Sequence, residues 1–298
     1  MQKRLEGLSL KLTQWRAHAP SCYIHISTVL FWEAAILKIS ILATSSSGNS
    51  LFIGTASTRI LIDAGISAKE TFAKLEAIGE DPRSLDAIVV THEHSDHVCG
   101  LAVIMKKLNA WNKRPLPVYA SELTASQIEW TAEARVERFP AGSAFTIGEL
   151  RLQSFTVPHD SIDPCGFTVA APSRGVKVGV AMDLGYIPEN VRYHLDGCEW
   201  VLLESNHDLE MLKVGPYPWS LKQRVMGRKG HLSNDALADF LLESFDGRAG
   251  TLVLGHLSEH NNHPELARIC AQQALGRRGA RTRLVVAEPR KQSELFTF

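Results

Sequence analysis

Short apolar runs, alternating or unbroken, recur along the chain between clusters of small and turn-forming residues, which is the signature of strands. Leu37-Lys38-Ile39-Ser40-Ile41-Leu42 alternates, and a polar turn over residues 44–50 leads to Leu51-Phe52-Ile53 and then to a strand over 59–63. Ser67 and Glu70 form a capping box for a helix over 68–78, with Phe72, Leu75 and Ile78 on one face. A buried strand is predicted at Ala87-Ile88-Val89-Val90, a helix over 98–108, a short strand at Val118-Tyr119 and a helix over 121–133. Two hairpins follow: residues 145–155, turning at Gly148, and 166–170 with 176–182. The rhythm then becomes strand–helix alternation: helices over 187–195, 233–244 and 264–275, and strands over 200–203, 251–254 and 283–287. Two groups of strands, each followed by helices, predict two sheets packed face to face with helices outside. The pattern alone does not separate this from other α/β arrangements.

Residues 1–36 lack this patterning. Lys3, Arg4, Lys11 and Arg16 precede an apolar stretch over 22–37, the outline of a signal peptide, but Glu33 interrupts it and no small-residue cleavage site follows. The segment reads as an N-terminal extension, disordered or translated from a start set too far upstream, and residues 37–298 as the folded domain. No run of about twenty apolar residues predicts a membrane span. Hydrophobic residues make up 45% and charged residues 21%, ordinary for a globular chain, and the formal net charge is zero. Any attraction for nucleic acid must therefore come from a local patch. The five cysteines, 22, 99, 165, 198 and 270, are widely spaced without a C-x-x-C pair, which argues against a disulfide framework or a thiolate zinc site and for a reducing cytoplasm.

The chemistry concentrates where the strand at 87–90 ends. Thr91-His92-Glu93-His94-Ser95-Asp96-His97 places three imidazoles and a carboxylate within six positions, and these are ligands for zinc and similar metals. Three later strands also end in candidate ligands: Pro158-His159-Asp160, Asp183-Leu184-Gly185 and Gly255-His256-Leu257-Ser258. Read singly, each could be a cap or a surface residue. Together they resemble the metallo-β-lactamase-fold hydrolases, whose fold is an αββα four-layer sandwich with metals at one edge between the sheets.

The resemblance implies two divalent ions, zinc or manganese with iron admissible. His92, His94 and His159 would hold one; Asp96, His97 and His256 would hold the other, with Asp183 between them. Two such dications bring the deprotonation of water near neutral pH and neutralise an anionic transition state, which suits hydrolysis of a phosphodiester. Glu204, in Glu204-Ser205-Asn206-His207-Asp208, and His231, in Gly230-His231-Leu232-Ser233-Asn234, resemble the later motifs of the ribonuclease Z type, where a glutamate supports a histidine on the scissile phosphate. Asp96, Glu204 and His231 are the expected catalytic residues.

Residues 211–234 contain no acid but hold Lys213, Lys222, Arg224, Arg228 and Lys229, with Tyr217 and Trp219 interleaved. Basic side chains follow a phosphate backbone and aromatics stack on bases. This stretch reads as a basic loop in which His207, Trp219, Lys222, Arg224, Arg228 and Lys229 meet the substrate. With Ser45-Ser46-Ser47-Gly48-Asn49-Ser50 and the Asn261-Asn262 pair, these strings resemble the WalJ or YycJ branch, associated with 5′-to-3′ exonuclease action on DNA and with mismatch repair. Ser258-Glu259-His260-Asn261 departs from the ribonuclease Z pattern and weakens a role in tRNA processing. Thioester or lactone hydrolysis of the glyoxalase II type shares the ligands but not the basic stretch.

Overall fold

The first strand alternates in sequence, yet β1 (Lys38–Ala43) buries every position but its first, because both of its faces are covered. It pairs antiparallel with β2 (Ser50–Gly54), and β2 with β3 (Arg59–Ile62). β4 (Ala87–Val89), β5 (Pro117–Ser121) and β6 (Arg135–Phe139) add in parallel, and β14 (Phe296–Thr297) pairs with the other side of β1. The second seven-stranded sheet runs β13 (Arg283–Val286), β12 (Thr251–Gly255), β11 (Trp200–Glu204), β10 (Val176–Ala181), β9 (Cys165–Ala171), β8 (Leu150–Thr156), β7 (Ala144–Ile147). This computed structural model describes residues 36–171 and 175–298, and the expectation for residues 1–35 lies outside them.

Three apolar layers hold the molecule together. Ile39, Ile53, Leu152, Phe167, Val178 and Trp200 fill the space between the sheets. Behind the first sheet, Leu61, Ile88 and Val118 pack on helices α1 (Ala68–Ala77) and α3 (Leu101–Asn112) through Phe72, Leu75, Ile104 and Leu108. Behind the second, Val201, Leu203 and Leu252 meet α5 (Glu189–Leu195), α8 (Asn234–Glu243) and α9 (Pro264–Arg278). This is the αββα sandwich. Packing the sheets on each other and covering their outer faces with helices buries both faces of each sheet.

The boundaries differ from expectation in several places. The helix expected from 98 to 108 is two: α2 (Ser95–Val98), then α3 after a break at Cys99-Gly100. The break is a close approach. A Cβ on Gly100 would lie 1.9 Å from the Ile66 carbonyl oxygen, and one on Gly65 would lie 1.6 Å from that of Asp96. The helix expected to reach residue 133 stops at Gln127 (α4, Glu122–Gln127), and Ile128 is already extended. β6 went unread because Arg-Val-Glu-Arg-Phe, at a sheet edge, is exposed or half-buried at four of five positions. The basic stretch is no loop: it holds α6 (Leu209–Val214) and α7 (Trp219–Val225), separated by Pro216 and Pro218.

Candidate metal centre

β3 runs parallel to β4, and β10 to β11 and β11 to β12, so their C-terminal ends reach common edges of the two sheets. From these ends, and from the segment after β8, come the side chains of the site. His92 and His94 follow β4, Asp96 and His97 lie in α2, His159 follows β8, Asp183 follows β10, Glu204 ends β11 and His256 follows β12. Three of the turns kink sharply: Asp63, Asp183 and His256 all have left-handed backbone, at φ 63°, 55° and 56°. Such conformations cost about 1–3 kcal/mol and persist where the surrounding structure holds them.

Four overlapping groups form, one of them Asp183, Glu204, His231 and His256. His92, His94 and His159 bring ligand atoms within 4.8 Å of one another, as do Asp96, His97 and His256, and as do His92, His97 and Asp183. His92 Nε2 lies 3.1 Å from His94 Nδ1, and His159 Nε2 3.3 Å from the same atom. Asp183 reaches both sides: Oδ2 is 3.1 Å from His97 Nε2, and Oδ1 is 3.3 Å from His256 Nδ1 and 4.0 Å from His159 Nε2. Asp183 Oδ2 and His256 Nε2 are buried, yet neither makes a well-directed hydrogen bond. Buried polar atoms are normally paired. Three imidazoles crowded on their nitrogen edges, with orphaned acceptors beside them, fit a cation-binding site.

Around this lies a second ring of contacts. His97 Nδ1 is 2.7 Å from Asp63 Oδ2, and Asp63 also accepts from the Thr91 hydroxyl and backbone N–H. Asn49 Nδ2 donates to Asp96 Oδ2 at 3.2 Å. Glu204 is fully buried. Its Oε1 accepts from His231 Nδ1 at 2.7 Å and from His256 Nδ1 at 2.8 Å, and its Oε2 from the N–H groups of Leu184 and Leu232. Burial opposes the charge on Glu204, but His231 and His256 outweigh it and draw the pKa down to about 2. Burial likewise opposes charge on His97, and the Asp63 and Asp183 carboxylates hold its pKa well above the ordinary value. His92 goes the other way: burial, then the neighbouring His97, push it well below.

The site opens on a cleft of about 310 Å³, lined by Ser46, His94, Asp96, His159, Asp160, Asp183, His231 and His256, and by Leu221, Arg224 and Val225 of α7.

Residues 58–256 match the family model described as "Beta-lactamase superfamily domain". The chain belongs to the metallo-β-lactamase superfamily. It is 35% identical over 249 residues to "Exodeoxyribonuclease YycJ" of Bacillus anthracis, covering 82% of this chain and 90% of that one. It is 35% identical to "Exodeoxyribonuclease WalJ" of Streptococcus pneumoniae, covering 77% and 85%. Among solved structures, the metallo-β-lactamase fold protein YhfI of Bacillus subtilis superposes with a TM-score of 0.68 at 15% identity, over 89% of this chain and all of that one. Membership in the superfamily implies binding of divalent metal ions, and the crowded edge between the sheets is where its histidines and aspartates meet.

The structure brings His92, His94, Asp96, His97, His159, Asp183, Glu204, His231 and His256 together at this edge. Of the six residues expected to meet substrate, Arg224 lines the cleft and the other five do not, and two of those five are buried. His207 is 1% exposed and lines no part of it, and burial pushes its pKa down to about 4. Lys222 is 8% exposed, and its Nζ donates to the Lys213 carbonyl at 2.7 Å, tying α7 to α6. Trp219, Arg224, Arg228 and Lys229 are exposed, with the Arg228 guanidinium 4.4 Å from the Tyr186 ring centroid. Asp63 and Asn49 were not singled out as site residues. Asp63 carries the same signal as Asp183, an aspartate leaving an apolar strand, whereas nothing in the Ser/Gly/Asn turn distinguishes Asn49 from an ordinary turn residue. Among the described residues, no helix is long and apolar enough to cross a membrane.

Proposed function

We propose that the chain is a metal-dependent nuclease, a 5′-to-3′ exonuclease acting on DNA. The observation that carries this reading is the position of His231. It lines the same cleft as the ligand groups, and a buried carboxylate, Glu204, orients it. The similarity to exodeoxyribonucleases over most of both chains supports it. In the proposed assignment His92, His94 and His159 hold one ion, Asp96, His97 and His256 the other, and Asp183 lies between. The donors are nitrogen and oxygen without thiolate, which suits zinc or manganese and admits iron. When bound, the ions supply Lewis-acid charge and a nucleophile at neutral pH.

The remaining work falls to the chain itself. Glu204 accepts a hydrogen bond from Nδ1–H of His231, which leaves Nε2–H to face a substrate oxygen. Burial opposes the imidazolium, but the Glu204 carboxylate outweighs it and raises the His231 pKa. His231 is thus suited to donate a proton to a phosphate or leaving oxygen. Trp219, Arg224, Arg228 and Lys229 offer stacking and charge to a strand, with no acceptor pattern that would select a sequence. The four described cysteines are free thiols, in keeping with a reducing cytoplasm.

Elemental analysis of the purified protein, followed by digestion of 5′- and 3′-labelled single- and double-stranded DNA and matched RNA, tests the proposal. Metal-dependent release of nucleotides from DNA 5′ ends is expected. Preference for RNA would move the substrate, and hydrolysis of thioesters alone would overturn the reading.

A further inference from the structure

Asp160 follows the proposed ligand His159 and faces two ways. Its Oδ1 is 3.5 Å from His159 Nε2 and buried without a hydrogen-bond partner. Its Oδ2 accepts from Nε of Arg224. Both side chains line the cleft, Arg224 from α7. Among the hydrogen bonds of the described residues, the Arg224 side chain donates only through Nε, and it is 59% exposed. A guanidinium held along one edge presents its terminal amino groups as a fixed planar fork, the geometry that grips a phosphate through two oxygens. An ion pair this exposed adds little to stability, so orientation is what it contributes. The Asp160 carboxylate thus lies between the His159 ring and the Arg224 guanidinium, one oxygen toward each, an arrangement that suits a phosphate neighbouring the reacting one.

We propose that Asp160 is a positioning residue that holds Arg224 as a clamp on the phosphodiester next to the scissile one in a nucleic-acid strand. The clamp rests on the nuclease reading above. Leu221 and Val225, on the same wall of the cleft, give the attached nucleoside an apolar surface with no base-edge donors or acceptors. The grip is therefore independent of sequence.

The test is steady-state cleavage of oligonucleotides carrying one neutral methylphosphonate at a linkage beside the scissile phosphate. Wild-type protein is compared with Arg224→Gln, Arg224→Lys, Asp160→Asn and the double variant Asp160→Asn/Arg224→Gln. Arg224→Gln should raise KM roughly 10- to 100-fold with a smaller change in kcat, the scale of a charge-assisted hydrogen bond. Arg224→Lys, which keeps charge but not the fork, should fall between. One methylphosphonate should weaken wild type by a similar factor and leave Arg224→Gln unchanged. Asp160→Asn should retain full metal content, and its defect should vanish in the Arg224→Gln background. Multiplicative defects of methylphosphonate and Arg224→Gln would overturn the clamp, as would metal loss in Asp160→Asn. Wild-type protein that cleaves no nucleic acid, yet hydrolyses bis(4-nitrophenyl) phosphate or a thioester, would instead overturn the nuclease reading beneath it.

Discussion

Glu204 shows how one residue can set a site's geometry from behind. A single oxygen accepts from two imidazoles on different elements, and the carboxylate has no water to turn toward. His231→Ala removes one of those imidazoles without touching the proposed ligand set. Cleavage should slow by about 10²–10⁴-fold, the range for a positioned proton donor, with metal content unchanged by elemental analysis. The pH profile adds a second readout. Because the His231 pKa is raised, the imidazolium is present below that pKa and is lost as pH rises through it. The kcat/KM of wild type should therefore fall on the alkaline side, and His231→Gln should lack that limb. Asp183→Ala should lose both ions and all turnover, since both ligand groups lie against this carboxylate; a variant retaining metal would contradict the bridging assignment.

At the scale of elements, the ligands were legible because each leaves an apolar strand whose end points to a common edge. The ambiguous parts were those without a strong period. β6, Arg-Val-Glu-Arg-Phe, does not alternate and lies at a half-exposed edge, and β14 has two residues. α6 and α7 span six and seven residues between prolines, too short for apolar spacing to emerge from a run of basic residues. The composition of that run was informative, yet only the helix shows which charges turn outward. Lys222 is spent inside, whereas Arg224, Arg228 and Lys229 are not. Neutralising Arg224, Arg228 and Lys229 together should weaken DNA binding and flatten the slope of log affinity against log salt by up to about three phosphate contacts. Fluorescence anisotropy across a salt series measures both. Lys222→Met should leave that slope alone.

Over the whole molecule, the inter-sheet layer carries the load of holding two sheets in register so that ligands from both can meet. Phe167 and Trp200 are fully buried there. Phe167→Ala should cost about 3–5 kcal/mol of stability, read from chemical denaturation, because the packed sheets cannot collapse into the space. Metal affinity should fall with it. The four-layer architecture followed from patterning plus the His-x-His-x-Asp-His run. Patterning gave two strand groups, and the run tied them to a known way of stacking. The pairing of β14 with β1 could not be read, because it joins residues more than 250 positions apart.

The left-handed turns at Asp63, Asp183 and His256 carry a practical warning about mutational scanning. In most of a protein, glycine is a more damaging replacement than alanine. At these three positions the ranking should invert, because alanine's methyl group opposes a backbone angle that glycine accepts freely. Asp183→Gly should therefore melt above Asp183→Ala when both are stripped of metal. An alanine scan would blame the lost carboxylate for damage that belongs partly to the main chain.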